Sequence, residues 1–171
     1  MASRYHNISG ELTQELLAVG DNVKVSSVSL TNLGKIQNCK VDLYIEKKLT
    51  GKFYIMKSVS LPIGATLSHN FSMNNSADEF GLYIKLTKGD TFTLTGSINV
   101  TGTNTNVPGT STAYLSEISI GDEIVVSGET RTVSSIENDT TMVVSSAWGS
   151  DLADDTSPDC NPEALVDVII S

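Results

Sequence analysis

The stretch Val41-Asp42-Leu43-Tyr44-Ile45 alternates apolar and polar side chains, which puts Val41, Leu43 and Ile45 on one face of an extended strand. Phe80, Leu82, Ile84 and Leu86 repeat the pattern. A period of two buries one face and wets the other, so these segments demand a partner layer. No stretch offers a competing helical period of any length. Leu12, Leu16 and Val19 share a helical spacing, but Gly10 and Gly20 confine it to about two turns, short for a stable helix. Ser and Thr together make up 40 of the 171 residues, a composition that suits strands and turns. The chain therefore reads as all-β, an antiparallel β-sandwich.

Punctuation along the chain places the strands. Val23–Leu30 is one, with its apolar parity slipping at Ser26-Ser27 as at a bulge. Val41–Ile45 and Phe53–Met56 flank a polar turn ending in Gly51 and read as a hairpin. Leu67–Met73 is a shorter strand. Leu165–Ile170 is too apolar for a free tail and is expected to pair upstream, with the 80–87 strand. The expected core is Val41, Leu43, Ile45, Phe53, Ile55, Leu82, Ile84, Val168 and Ile170.

Between these last two strands the texture changes. Residues 1–88 hold ten Lys and Arg against seven acids, whereas residues 89–171 hold Arg131 alone against thirteen. The break marks an inserted acidic module before the last strand. Gly96-Ser97 signals a hairpin between Thr91–Thr95 and Ile98–Val100. Residues 113–146 read as a three-stranded meander with a core of Ile118, Ile124, Val126, Val133, Ile136, Met142 and Val144. Residues 101–112 and 149–162 read as flexible linkers. The expected organisation is an N-terminal arm at 1–20, a sandwich of 21–90 plus 164–171, and the inserted module at 91–163.

Chemistry is sparse. The chain lacks the GxSxG elbow, the GxxxxGK[ST] phosphate loop and the GxGxxG turn. His6 and His69 sit in polar contexts and read as surface histidines rather than general bases, so a small hydrolase ranks last among the readings. Cys39 and Cys160 have no ligand spacing and read as two unrelated thiols. Asp151, Asp154, Asp155 and Asp159 offer hard oxygens for calcium, but the run fails the EF-hand pattern and reads first as a solvated loop. No cofactor is expected. The acidic half opposes nucleic-acid binding, and no apolar run has the length of a membrane-spanning helix. The opening Met1–His6 carries no apolar signal region.

Several segments carry a resemblance. Val25–Asn32, Val41–Ile45, Phe53–Leu67 and Val166–Ile170 resemble a small β-sandwich found among virion structural proteins of tailed phages, especially those infecting marine cyanobacteria. Ile120–Ile124 with Arg131–Ile136 resembles a short β-module of phage tail, fibre and head accessory proteins. The resemblance implies a non-enzymatic virion protein, assembled in the host cytoplasm and binding other virion proteins as a homo-oligomer within the assembly. A capsid decoration or cement subunit on the major capsid protein is the leading form, and a neck, tail or fibre-associated protein the alternative. A carbohydrate- or receptor-binding module is the reading of another class, resting on Trp148 beside Asp151. The arm supplies the expected partner-binding residues Tyr5, Ile8, Leu12, Leu16, Leu17 and Val19, apolar side chains in a segment too short to build a core of its own.

Overall fold

The structure is a computed structural model that describes residues 3–47, 50–75, 80–155 and 158–171. It is 63% strand and 3% helix, an all-β protein with antiparallel sheets. In chain order the elements are β1 (Arg4–Ser9), β2 (Gln14–Leu17), β3 (Val23–Asn32), β4 (Cys39–Lys47), β5 (Gly51–Leu61), β6 (Thr66–Asn75), β7 (Phe80–Thr87), β8 (Phe92–Thr93), β9 (Ser97–Val100), β10 (Asn106–Thr110), α1 (Tyr114–Glu117), β11 (Glu123–Val126), β12 (Glu129–Asn138), β13 (Thr141–Val144), β14 (Leu152–Asp155), β15 (Asp159–Asn161) and β16 (Leu165–Ile170). They form two compact units, Met1–Lys88 with Ala164–Ser171, and Gly89–Glu163.

Unit 1 is a sandwich of two four-stranded antiparallel sheets, ordered β1-β16-β3-β6 and β2-β7-β4-β5. Alternation along each strand supplies the core: Val28 and Leu30 from one sheet meet Val41, Leu43, Leu82, Ile84 and Leu86 from the other, all fully buried. The parity slip in β3 is a register break between Val25 and Ser27 where it pairs with β6. A second break, in β5, leaves Ser58 at φ +51°, a conformation costly for a side chain. Asp42 holds that bulge, accepting from Ser58 N at 2.6 Å and from Lys57 Nζ at 2.8 Å.

Three expectations change here. The last strand, β16, pairs with β1 and β3, not with the 80–87 strand. Its strongly apolar sequence needs a central position, and β1 supplies the second neighbour. The N-terminal arm is accordingly no separate segment: β1 flanks β16 and β2 flanks β7, both inside unit 1. Phe53, expected in the core, is 50% exposed, because it lies at the edge of its sheet opposite Ile45.

Unit 2 is one antiparallel sheet ordered β14-β9-β10-β13-β12-β11-β15-β8, in which only β12, of ten residues, exceeds five among the described residues. A single sheet that encloses thirteen buried side chains among the described residues must curl around them. The β11–β12–β13 meander is present. Its first turn has Ser127 at φ +50° and Gly128 at φ +81°, the two left-handed positions of a tight hairpin. The rest departs from expectation. Residues 101–112 contain β10, and 149–162 contain β14 and β15, so the supposed linkers are sheet. The 91–95/98–100 hairpin does not form: β8 pairs with β15, and β9 with β10 and β14. Strands of two to five residues carry too little alternation to be seen.

Candidate interaction surface

The outer face of the β2-β7-β4-β5 sheet in unit 1 carries the densest group of chemically distinctive side chains. Cross-strand register sets Tyr83, Tyr44 and Tyr54 in one row, with Glu15 at the β2 end. Tyr44 and Tyr83 stack at 5.8 Å, and Tyr44 and Tyr54 meet at 5.4 Å with a 52° tilt. Lys52 Nζ lies 4.6 Å over the Tyr44 ring and donates to its hydroxyl at 3.2 Å. Lys57 Nζ lies 4.4 Å over Tyr54. Tyr83 donates to Glu15 Oε2 at 3.0 Å. Burial and the Glu15 carboxylate together raise the Tyr83 hydroxyl pKa. A Cβ at position 81 would fall 2.8 Å from the Tyr83 ring, so a side chain there would displace that ring. Lying under its neighbours, Tyr44 is buried on a face that strand parity assigns to solvent, while Tyr54 remains 46% exposed. Exposed tyrosine is a side chain that protein interfaces favour.

The arm residues divide. Ile8, Leu16 and Leu17 are buried in the unit 1 core and are not free for a partner. Tyr5 and Leu12 are exposed at 72% and 81%, and Val19 is exposed. The segment lacks a core of its own, but unit 1 gives it one through β16 and β7. Tyr5 lies directly opposite the exposed Ile169, beside a shallow cavity of about 350 Å³ that His6, Asn7 and Asp167 also line. His6 Nε2 is buried without a hydrogen-bond partner. Burial, then the charge of Arg4, lowers the His6 pKa.

Sequence reasoning missed the tyrosine row and the open side of the sandwich along β5 and β6. The signal for outward tyrosines was present, though the register that aligns them was not. Tyr44, Tyr54 and Tyr83 all stand at polar parity in strands whose other face is apolar, which is where a surface aromatic belongs. On the open side, Phe53, Tyr54 and Ile63 are exposed, and Leu67, Phe71 and Met73 only partly buried.

In unit 2 the acids hold turns. Asp122, 4% exposed, accepts from Ser119 N at 2.8 Å and Glu163 N at 2.7 Å, and Cys160 Sγ points to it at 3.9 Å. Glu129 accepts from Arg131 at 2.6 Å and from Gly149 N at 2.9 Å. Glu117 accepts from Thr95 N at 3.0 Å, and Asp139 from Leu115 N at 3.0 Å. The calcium candidates follow suit. Asp151 accepts from Gly102 N at 2.8 Å and Asp159 from Thr93 Oγ1 at 3.0 Å, while the side chains of Asp154 and Asp155 lie outside the described residues. No group of three or more potential ligands gathers among the described residues.

Trp148 is 3% exposed, packed in the unit 2 core with Arg131 5.2 Å above its ring. It presents no face to a glycan, so the pair it was expected to form with Asp151 is not a sugar platform. Both thiols are free and buried. Burial pushes Cys39 up to about 11, and burial with the Asp122 charge pushes Cys160 up as well. No family model matches the chain, and neither does any curated protein or solved structure.

Proposed function

We propose that the chain is a structural subunit of a tailed-phage virion, non-enzymatic, and that it decorates or cements the capsid by binding other virion proteins. The observation that supports this best is where unit 1 exposes its apolar and aromatic side chains. Tyr5 stands on edge strand β1 opposite Ile169 of β16, Phe53 and Tyr54 stand on edge strand β5, and Leu12, Val19, Leu33 and Ile63 lie in connections between strands. Sheet edges carry unpaired backbone donors and acceptors, the means by which β-proteins join neighbours. The buried titratable groups fit the same reading: Asp122 ties its own turn at Ser119 to Glu163, and Cys39 and Cys160 are thiols that burial keeps protonated. The segments that resemble phage virion sandwiches supply the particle. Unit 2, with twelve acids and Arg131 alone, would face solvent or a cationic neighbour and keep the particle surface soluble.

The test is localisation. Particles purified through a density gradient and cross-linked in the intact state should contain this chain joined to the major capsid protein. Cross-links confined to neck, tail or fibre proteins would move the subunit to the alternative position. A chain absent from purified particles would end the virion reading.

A further inference from the structure

We propose that the shallow cavity on the outer face of β1 and β16 binds a neutral pyranose sugar, stacked on Tyr5 and hydrogen-bonded by Asn7 and Asp167. This goes beyond the structural role above and does not depend on it, since Phe53 and Tyr54 on β5 remain for a protein neighbour.

Register builds the site. Tyr5 and Asn7 stand two residues apart on β1 and share a face, while Ile8, of the other parity, is buried in the core. On β16, Ile169 lies directly opposite Tyr5 and Asp167 directly opposite Asn7, and Val166, Val168 and Ile170 fill the core. The outer face therefore sets an apolar pair beside a polar pair, about 7 Å apart along the strand. Both rows continue across β3 and β6 as hydroxyls. Ser29 and Ser68 extend the first, and Thr31 and Thr66 the second, each pair bonded at 2.9 Å. The cavity of about 350 Å³ falls within the range of small-ligand sites, about 300–1,000 Å³.

Each half of the site matches one part of a sugar ring. A pyranose has a face of C–H bonds and a rim of hydroxyls. Tyr5, largely exposed, offers an aromatic face to the C–H bonds, and the half-exposed Ile169 widens that platform. Asn7 donates one amide N–H to Asp167 Oδ1 at 2.8 Å, which holds both side chains in place. The second N–H of Asn7 and the Oδ2 of Asp167 bond to no other group among the described residues. One donor and one acceptor side by side match two neighbouring sugar hydroxyls, each able to donate and accept. A single ring with its hydroxyls bridges the distance from Tyr5 to this pair.

Charge narrows the class. Asp167 is the single charged side chain in the two rows. A phosphate or an acidic sugar would meet that carboxylate with no Lys or Arg in the rows to offset it, and be repelled. One carboxylate is too few for a hard cation such as calcium, which takes about six to eight oxygens. A protein surface fits less well, because Ser and Asp are depleted at protein interfaces. A neutral polyol suits a face of hydroxyls, one amide and one carboxylate.

The experiment titrates the full chain with cellobiose, lactose and maltose and follows its backbone amides by NMR. Glucuronate is the charged control. At least one neutral sugar should shift the amides of residues 5–7 and 167–169 together, with a Kd of about 1–10 mM, the scale of a small ligand in an open site. Glucuronate should bind about tenfold more weakly or not at all. Tyr5→Ala, at an exposed position, should weaken the best sugar by about threefold to tenfold, the scale of a lost aromatic contact. Tyr5→Phe keeps the ring and should hold the affinity within about twofold. Three results would each overturn the proposal: no shift at these residues with any of the three sugars up to their solubility, glucuronate bound as tightly, or Tyr5→Ala binding as well as the unsubstituted chain. Particle localisation is read separately, so a chain that sits in the particle but binds no sugar sinks only this site.

Discussion

Unit 1 and unit 2 reach closed cores by different means. Unit 1 uses strands of up to eleven residues whose alternation, shifted at the bulges, decides which side chains meet, with eighteen buried among the described residues. Unit 2 uses strands as short as two residues and has one sheet to curl around thirteen. It compensates with large buried rings, Tyr114 and Trp148, and with carboxylates that bond the backbone of its turns. The contrast teaches that net charge alone is a poor guide to a module's surface. Much of the acidic character of unit 2 serves its turns, whereas the more neutral unit 1 offers the exposed tyrosine and lysine.

The severest way to break the comparison is to remove β16. Deleting residues 165–171 withdraws Val166, Val168 and Ile170 from the core and leaves β1 and β3 without their shared neighbour. Unit 1 should then fail to fold, while amide resonances of unit 2 stay dispersed. Unchanged unfolding of both units would show that β16 is dispensable.

Single truncations come next. Leu43→Ala empties a fully buried site and should cost unit 1 about 2–5 kcal/mol, and Trp148→Ala should cost unit 2 about 3–5 kcal/mol. Phe53→Ala, at a half-exposed site, should cost about 1 kcal/mol or less. Denaturant titration read separately for each unit checks all three. A Phe53 cost equal to that of Leu43 would mean that Phe53 is buried in solution.

These magnitudes track what was legible in the sequence. Val41, Leu43, Leu82, Ile84, Val168 and Ile170 were placed in the core by parity, and they are there. Parity says nothing about position within a sheet, and so Phe53 on the edge strand and the true neighbours of β16 were both missed. β10, β14 and β15 were hidden because five residues or fewer, rich in Thr, Asn and Asp, look the same in a strand and a loop. The surface was harder still. The tyrosine row depends on registry among β7, β4 and β5, which no single strand's sequence contains.

A milder change asks whether the units depend on each other. The unit boundary falls after Lys88 and before Ala164, so excision of 101–162 would strand β8 and β9 without partners. Replacing 89–163 with a short Gly/Ser bridge should instead leave unit 1 folded, its melting temperature moved by no more than about 5 °C. Collapse of that protein would show one fused folding unit.

The smallest effect, and the sharpest in sign, is the response to acid. In unit 1, burial and the Arg4 charge lower the His6 pKa below 6.5, so the folded state resists its protonation. Asp42 would be raised by burial, but Lys57 and the Ser58 N–H more than offset this and hold its carboxyl below the usual 3.8. Both groups give stability that is present above their unfolded values and lost as pH falls through their folded ones. Unit 1 should therefore weaken on acidification, first below about 6.5 through His6 and again below about 3.8 through Asp42. In unit 2, burial and then the charges of Asp122 and Glu123 raise Glu163 above its usual 4.5. Its folded state holds the proton more tightly than the unfolded chain, so its contribution is full below 4.5 and is lost as pH rises through the folded value. Acidifying from neutrality toward 4.5 should thus steady unit 2 through Glu163 while it loosens unit 1 through His6. Trp148, the chain's single tryptophan, reports unit 2 by fluorescence, and the Tyr44 and Tyr83 resonances report unit 1. Glu163→Gln should flatten the Trp148 response and leave the tyrosine response unchanged. If both units weaken together over that range in the unsubstituted chain, and Glu163→Gln alters neither curve, Glu163 is not held protonated by its neighbours.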